Sequence, residues 1–403
     1  MWFILLLTTK DPMSLQTHKD EHQLIRKAIR DLLARFPSEY WRNKDERREY
    51  PTEFVNELMK AGWMGVNIPV GYGGAGYGIT EASIVLEELA ASGGGLSAAG
   101  AAHASFFNVI ILTNYGNDEC KQYLPKIAKG ELRFQALAIT EPAAGFDTPK
   151  ISTFAKKNGG EYVINGRKVF ISRVKHSDLM LLVARTTPYD EVKKRTDGIT
   201  LFLVDLRKAA DSITVREIPN NVRRMVDTNE LIIEGLVVPE SHVIGEVGKG
   251  FYHLLEVINA ERIEIAAECI GLGRYVLSKA VEYAKTRIVF DRPIGKNQAI
   301  AHPLAEAYMR LEAADLMRYK AAHLYDSGLP CGAEANMAKY LAAEACYYAC
   351  DRAVQTFGGY GLSVETDIER FWRESRLYIL APISQEMILN YLAHNILGLP
   401  KSY

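Results

Sequence analysis

Glu261 is a carboxylate on the apolar face of a predicted helix. A buried carboxylate must be paired, protonated or functional, and desolvation raises its proton affinity, which suits a general base. An ion pair with Arg262 or a more distant arginine is the structural alternative. Glu264 and Glu268 lie near the same face and are weaker candidates. The face itself is defined by residues that recur at helical spacing, namely Leu254, Val257, Ile258, Glu261, Ile265 and Leu272.

A second candidate feature runs from Ala136 to Asp147. It begins as an apolar run and changes at Thr140 and Glu141 into a loop of small residues, a pattern typical of a strand that ends in a loop. The small residues around Gly145 allow backbone amides to approach a flat or anionic ligand closely. An ordinary strand-to-loop junction would have the same pattern.

Three further segments could contribute to a ligand site. Asn165-Gly166 lies between two alternating apolar runs and predicts a hairpin turn, after which Phe170 and Ser172 share one side of a strand. Arg287 could pair with phosphate oxygens, although an arginine at a solvated helix end is equally compatible. The pair Gly358-Gly359 could pack against a diphosphate, or could simply cap a helix.

The elements that must position these residues change type twice along the chain. Helical periodicity covers about residues 18–132, β-rich runs cover 134–246, and helical periodicity returns from Gly250 almost to the end. The β-rich runs lack a βαβ alternation and indicate a barrel or sandwich. We therefore predict an α+β fold with an extension at 1–17, a helical domain at 18–133, a β domain at 134–247 and a helical domain at 248–403.

Composition sets broad limits on partners. The 403 residues are 48% hydrophobic and 24% charged, with a net charge of -1, which gives no reason to expect nucleic acid or an anionic membrane as partner. The apolar run at residues 2–7 is too short to span a bilayer, and residues 1–12 could be a start-site extension. Five scattered cysteines without a Cys-x-x-Cys pair predict reduced thiols in a cytoplasmic protein and no metal site.

The stretch Thr140-Glu-Pro-Ala-Ala-Gly-Phe-Asp147 resembles a signature of the acyl-CoA dehydrogenase family of flavoproteins. Its usual form is Thr-Glu-Pro, two small residues and Gly-Ser-Asp, so Phe146 replaces a serine. The segments Gly166–Ser172, Arg287–Gln298 and Gln355–Gly361 resemble further family segments in the correct order, although Arg173 departs from the usual Asn or Gly. The resemblance implies a β-barrel between a helical domain and a four-helix bundle.

The resemblance also implies FAD as cofactor, held between subunits of a homotetramer or homodimer. The implied substrate-binding residues are Gly145, Phe146 and Arg262. The implied cofactor-binding residues are Leu137, Ile139, Thr140, Phe170, Ser172, Arg287, Phe290, Gln298, Gln355, Gly358, Gly359, Ile383 and Gln385.

The family's usual catalytic glutamate lies in a C-terminal loop, but the corresponding segment, Leu377–Gln385, contains no carboxylate. Isovaleryl-type and long-chain members instead carry the base in a Glu-Arg pair, which Glu261-Arg262 resembles. Glu386 lies about one helical turn beyond the usual loop position and ranks behind Glu261. The loop could still polarise the thioester carbonyl through the Ala381 N–H; an alignment without a gap would place Pro382, which has no N–H, at that position.

The function implied by the resemblance is dehydrogenation of an acyl-CoA to a trans-2-enoyl-CoA. Glu261 would take the α-proton while hydride passes to FAD, and an electron-transfer flavoprotein would accept the electrons. The alternatives are an oxygen-reactive oxidase or monooxygenase on the same fold, or a non-catalytic helical binding or scaffold protein.

Overall fold

A computed structural model describes residues 12–401 of the chain, so the first eleven residues of the extension predicted at 1–17 lie outside the described part. The first helix already begins at Pro12, earlier than the predicted start near His18. The N-terminal helices are α1 (Pro12–Leu33), α2 (Ser38–Arg47), α3 (Thr52–Lys60), α4 (Ile79–Ala90), α5 (Gly95–Ala102), α6 (Ala104–Tyr115), α7 (Asp118–Lys121) and α8 (Leu124–Ala128).

One sheet of eight strands occupies the middle of the chain. Its hydrogen-bonded order is β6-β7-β3-β2-β4-β5-β8, with β1 paired in parallel to β4. The strands are β1 (Phe134–Ala138), β2 (Phe154–Asn158), β3 (Glu161–Ser172), β4 (Leu179–Arg185), β5 (Ile199–Asp205), β6 (Ile213–Glu217), β7 (Thr228–Pro239) and β8 (Val243–Ile244). A separate ribbon pairs β9 (Ile288–Val289) with β10 (Arg292–Pro293).

The hairpin predicted at Asn165-Gly166 is wrong, because both residues lie within the continuous strand β3. The turn is made at Gly159 and Gly160, between the paired residues Asn158 and Glu161, and Gly159 has a φ of 61°. Gly166 is required for another reason, since a Cβ there would lie 2.4 Å from Thr153 Oγ1. The register of β3 against β7 shifts between Ile164 and Gly166, so the glycine permits a bulge instead of a turn.

Long helices dominate the rest of the chain, as the sequence predicts. The helix α9 contacts α4 of the N-terminal part as well as α10 and α11. The α+β fold class, with helical parts before and after a sheet, is confirmed. The C-terminal helices are α9 (Gly250–Thr286), α10 (Gln298–Asp326), α11 (Gly332–Phe357), α12 (Ile368–Ser375), α13 (Leu377–Leu380) and α14 (Gln385–Tyr391), followed by a π-helical turn at Leu392–Ile396.

Two hydrophobic cores meet at the start of α9. Leu254 and Val257 belong to the core beneath the sheet, whereas Ala260 and Ile263 belong to the core shared by the N- and C-terminal helices. The segment Gly95–Tyr115 is apolar and long enough to cross a membrane by composition, but 94% of it is buried inside the molecule, so it packs as a core helix. This segment also passes from one core to the other, between Ala102 and Ala104.

Candidate active site

Glu261 lies where the two cores meet, on the first third of α9. Its side chain is 12% exposed, whereas Glu264 and Glu268 on the same helix are completely buried. His103, at the junction of α5 and α6, approaches from the opposite side, with Nε2 3.7 Å from Glu261 Oε1. The structure therefore brings the predicted base next to a histidine that no sequence motif singles out.

His103 is surrounded by carboxyl groups. Its Nδ1 lies 2.7 Å from Glu268 Oε1 and 3.9 Å from Glu264 Oε2; the first contact is an ion pair by distance and is not aligned as a hydrogen bond. Burial disfavours the charged ring, but the carboxylates, Glu268 foremost, raise the pKa of His103 to about 9. Tyr378, from α13, donates a hydrogen bond of 2.5 Å to Glu268 Oε2.

Arg262 is also near the base and is mostly buried. Its Nη1 donates to Asn259 Oδ1 at 2.8 Å, and its Nε is buried without a hydrogen-bond partner. Burial lowers the pKa of Arg262, and the neighbouring Glu261 carboxylate opposes that shift. The Nε donor of Arg262 is therefore left unsatisfied by the protein.

The loop expected to assist catalysis is arranged differently from the sequence-based prediction. The Ala381 N–H donates to Leu377 O at 2.9 Å and closes α13, so it is already paired. Lys339 Nζ donates to Ile383 O at 2.7 Å and lies 3.3 Å from Gln385 Oε1. The Gln385 amide also donates to Tyr340 O and Glu344 Oε1, so its polar atoms are engaged within the protein.

A second group of predicted residues gathers where β1 ends beside β3. Val169 N donates to Thr140 O at 2.9 Å, which joins the backbone at Thr140 to the end of β3, the strand that carries Phe170 and Ser172. Neither hydroxyl has a hydrogen-bond partner among residues 12–401. Phe170 is 66% exposed and has a φ of 60°, an uncommon backbone conformation for an aromatic residue. Leu137 and Ile139 are half-buried at the end of β1.

A buried ion pair fixes this junction. Lys168 Nζ donates to Ile139 O and to Glu141 Oε1, each at 2.8 Å, and Glu141 also accepts from Thr153 N and from the amide and hydroxyl of Ser152. Burial alone would raise the pKa of Glu141, but the Lys168 ammonium and these donors lower it to about 2. The loop that follows β1 is thereby held to β3.

The residues that depart from the family pattern occupy different environments. Phe146 is 62% exposed, and the space around Gly145 is open because a Cβ there would touch nothing within 4 Å. Arg173, in contrast, is buried and donates to Gln135 O and Gly100 O. The Arg173 side chain therefore crosses to the N-terminal helices.

The remaining predicted residues form a third, exposed group at the far end of the C-terminal helices. Arg287 is the C-cap of α9, and Gly358 caps α11 with a φ of 60°. Phe290 is 91% exposed. Arg287 follows Glu261 by 26 residues, about 39 Å along the helix axis at 1.5 Å per residue. The others in this group are exposed as well: Gln298, Gln355 and Gly359.

Four residues that contact the predicted site residues or their neighbours were missed from the sequence: His103, Lys168, Lys339 and Tyr378. Only His103 carried a usable signal, because it is the single Asp, Glu, His, Lys or Arg between Gly95 and Tyr115. The partners of the other three are brought together by folding alone.

Known proteins resemble this chain over nearly its whole length. Three family models match in order: Acyl-CoA dehydrogenase, N-terminal domain, at residues 19–131; the middle domain at 136–236; and the C-terminal domain at 248–397. The acyl-CoA dehydrogenase fadE12 of Mycobacterium bovis is 40% identical over 389 residues, 95% of this chain and 98% of that protein. The caffeyl-CoA reductase-Etf complex subunit CarC of Acetobacterium woodii is 33% identical over 362 residues, which are 90% of this chain and 94% of that protein.

The fold resembles that of solved structures to the same extent. Butyryl-CoA dehydrogenase from Megasphaera elsdenii superimposes with a TM-score of 0.88 at 28% identity, over 98% of this chain and 100% of that one.

Proposed function

Because the chain belongs to the acyl-CoA dehydrogenase family, we propose that it desaturates an acyl-CoA thioester with Glu261 as the base. The observation that carries this assignment is the accessibility of the carboxyl groups near the junction of the two cores. Glu261 is the only one of the three α9 carboxyls there with an exposed edge. The alternative, Glu386, is solvent-exposed, and its own backbone amide and the Ser384 hydroxyl lower the pKa of Glu386. A solvent-facing carboxylate is hydrated, so Glu386 is a weaker candidate than the nearly buried Glu261.

In this mechanism the Glu261 carboxylate takes the α-proton of the acyl group. The apolar residues around the start of α9 exclude water and so strengthen the interactions of the carboxylate with its neighbours. Arg262 lies beside the base with an unpaired Nε and can donate to the thioester end of the substrate. Because the Ala381 N–H is paired with Leu377 O, this mechanism does not use it.

The residues at the end of β1 and β3 fit a flavin. Thr140 and Ser172 offer hydroxyls that lack protein partners in the described chain, and such donors suit the ring nitrogens and carbonyls of an isoalloxazine. The exposed Phe170 offers a flat apolar face beside them. When bound, FAD would supply the oxidising chemistry by accepting the β-hydrogen of the substrate with its electron pair.

The distance along α9 supports an oligomer. A flavin ring near Glu261 cannot have its diphosphate at Arg287 of the same chain, about 39 Å away along the helix. The group around Arg287, Gly358 and Gly359 would then serve the cofactor of a neighbouring copy in a homodimer or homotetramer. An electron-transfer flavoprotein is the proposed acceptor, since the related CarC is named as part of an Etf complex.

The deciding experiment is bleaching of the flavin by a panel of acyl-CoA thioesters under nitrogen. We expect bleaching by wild type and by Glu386→Gln, and a loss of about 10²- to 10⁴-fold in rate in Glu261→Gln. Unchanged bleaching in Glu261→Gln would exclude Glu261 as the base. Turnover that requires air and does not proceed under nitrogen with an artificial acceptor would indicate an oxidase instead.

A further inference from the structure

His103 contacts the proposed base through one ring nitrogen and a buried carboxylate through the other. Nε2 lies 3.7 Å from Glu261 Oε1, and Nδ1 lies 2.7 Å from Glu268 Oε1. The His103 side chain is only 6% exposed, and the Phe107 ring packs edge-on against it with the centroids 5.1 Å apart. The ring is therefore held between two acidic groups that belong to one helix.

Three carboxyl groups of one helix lie around this histidine. Burial raises the pKa of Glu264 well above its ordinary value, and neither of its oxygens has a hydrogen-bond partner, so burial favours its neutral form. Glu261 and Glu268 lie at opposite ring nitrogens of His103. Tyr378 donates to the far oxygen of Glu268 and so fixes that carboxylate in place.

The other titratable groups that face the cluster come from several elements. Tyr325, on α10, has a raised pKa, caused first by burial and then by the proximity of Glu264. Arg223 lies 6.0 Å from the Tyr378 ring, and its guanidinium packs against Gly100, about one helical turn before His103. Arg262 lies beside Glu261 but directs Nη1 to Asn259. His103 is the cationic group that bridges both Glu261 and Glu268.

We propose, resting on the function assigned above, that His103 is the positioning residue that holds Glu261 in its ionised form, ready to accept the α-proton. Glu268 and Tyr378 fix the imidazolium so that its Nε2 edge faces the base. In the reaction the proton moves from the substrate carbon to Glu261, and His103 keeps its own proton throughout.

The test uses the FAD-loaded protein and 3-thia-acyl-CoA analogues. Their α-protons are acidic, but the β-sulfur carries no hydride, so only deprotonation occurs, and the enolate forms a charge-transfer band with the oxidised flavin. We expect His103→Gln to raise the pH at which half of the analogue is deprotonated by about one to three pH units. His103→Lys, which restores a cation, should move this pH back toward the wild-type value.

Glu264→Gln is the matched control, because glutamine resembles the neutral carboxyl that burial favours at this position, at a similar distance from His103. Its half-deprotonation pH should equal that of wild type. A shift as large as that of His103→Gln would show that any change in this cluster has the same effect, and would overturn the proposal.

A second measurement does not depend on the folding of His103→Gln. In protein labelled with ¹³C at histidine Cε1, the His103 signal, assigned by its loss in His103→Lys, should titrate at lower pH in Glu261→Gln than in wild type, because the coupling is reciprocal. An unchanged titration would overturn the proposal. If Glu261→Gln still deprotonates the analogue, Glu261 is not the base and the proposed function itself fails. If it does not, but His103→Gln leaves the midpoint unchanged, only the role of His103 fails.

Discussion

Lys168 and Glu141 form an ion pair that is almost wholly removed from solvent and joins strand β3 to the loop after β1. The Nζ–Oε1 distance is 2.8 Å, and the two side chains are 0% and 3% exposed. The same Nζ donates to Ile139 O, so one ammonium fixes both the end of β1 and the loop. Thr140 lies between these two contacts, and its position therefore depends on a buried ion pair.

Lys168→Met is expected to destabilise the protein by about 3 to 5 kcal/mol, because it leaves a buried carboxylate without its cation. The urea midpoint of unfolding should fall, and FAD should be held more weakly. Lys157→Met is the control: Lys157 pairs with Glu240 at the surface of the same sheet and should change the midpoint little. Equal effects of the two substitutions would contradict the structural part assigned to Lys168.

The stability of the protein should fall as the pH rises from about 6.5 through about 9. His103 has a pKa of about 9 in the folded protein against 6.5 ordinarily, so the stabilising contribution is fully present below 6.5 and lost as the folded state releases its proton. The difference corresponds to about 3 kcal/mol. Urea midpoints of wild type and His103→Gln between these pH values give the measurement. A parallel pH dependence in both proteins would show that another group is responsible.

Gly271→Ala should destabilise the contact between α9 and α4 by about 1 to 3 kcal/mol, because a Cβ would lie 2.1 Å from the backbone oxygen of Glu87. Gly160→Ala is the matched control, since a Cβ there meets nothing within 4 Å. Thermal unfolding of the two variants provides the comparison. Similar melting temperatures for both would mean that the helices can separate without cost.

Phe146→Ser should leave FAD bound and tighten acyl-CoA binding by about three- to tenfold, the effect of one added hydrogen bond. Phe146 is 62% exposed and can offer a ligand no side-chain hydrogen bond, whereas serine can. Calorimetric titration with a non-reactive acyl-CoA analogue, together with the flavin absorbance of the purified variant, measures both quantities. Equal affinities would show that the departure at this position concerns structure only.

The sequence alone was enough for the succession of helical, β and helical parts, because periodicity is a local property. The runs from Leu179 and from Ile199 are strands, and Gly250 opens a long helix, as predicted. Asn165-Gly166 shows where local patterns fail. Gly166 is needed because Thr153 approaches its backbone closely. That contact depends on how β2 and β3 align, which no turn signature in the sequence indicates.

The candidate site shows the same distinction between local sequence patterns and contacts that depend on the tertiary structure. Helical spacing placed Glu261 on an apolar face, and the ordered motifs indicated the family. Only the tertiary structure decided that Glu264 and Glu268 are more deeply buried than Glu261, that His103 from another helix stands between them, and that the Ala381 N–H is already paired with Leu377. Burial and charge pairing depend on groups that are distant in the chain, so the ionisation of a carboxylate follows from its neighbours in space.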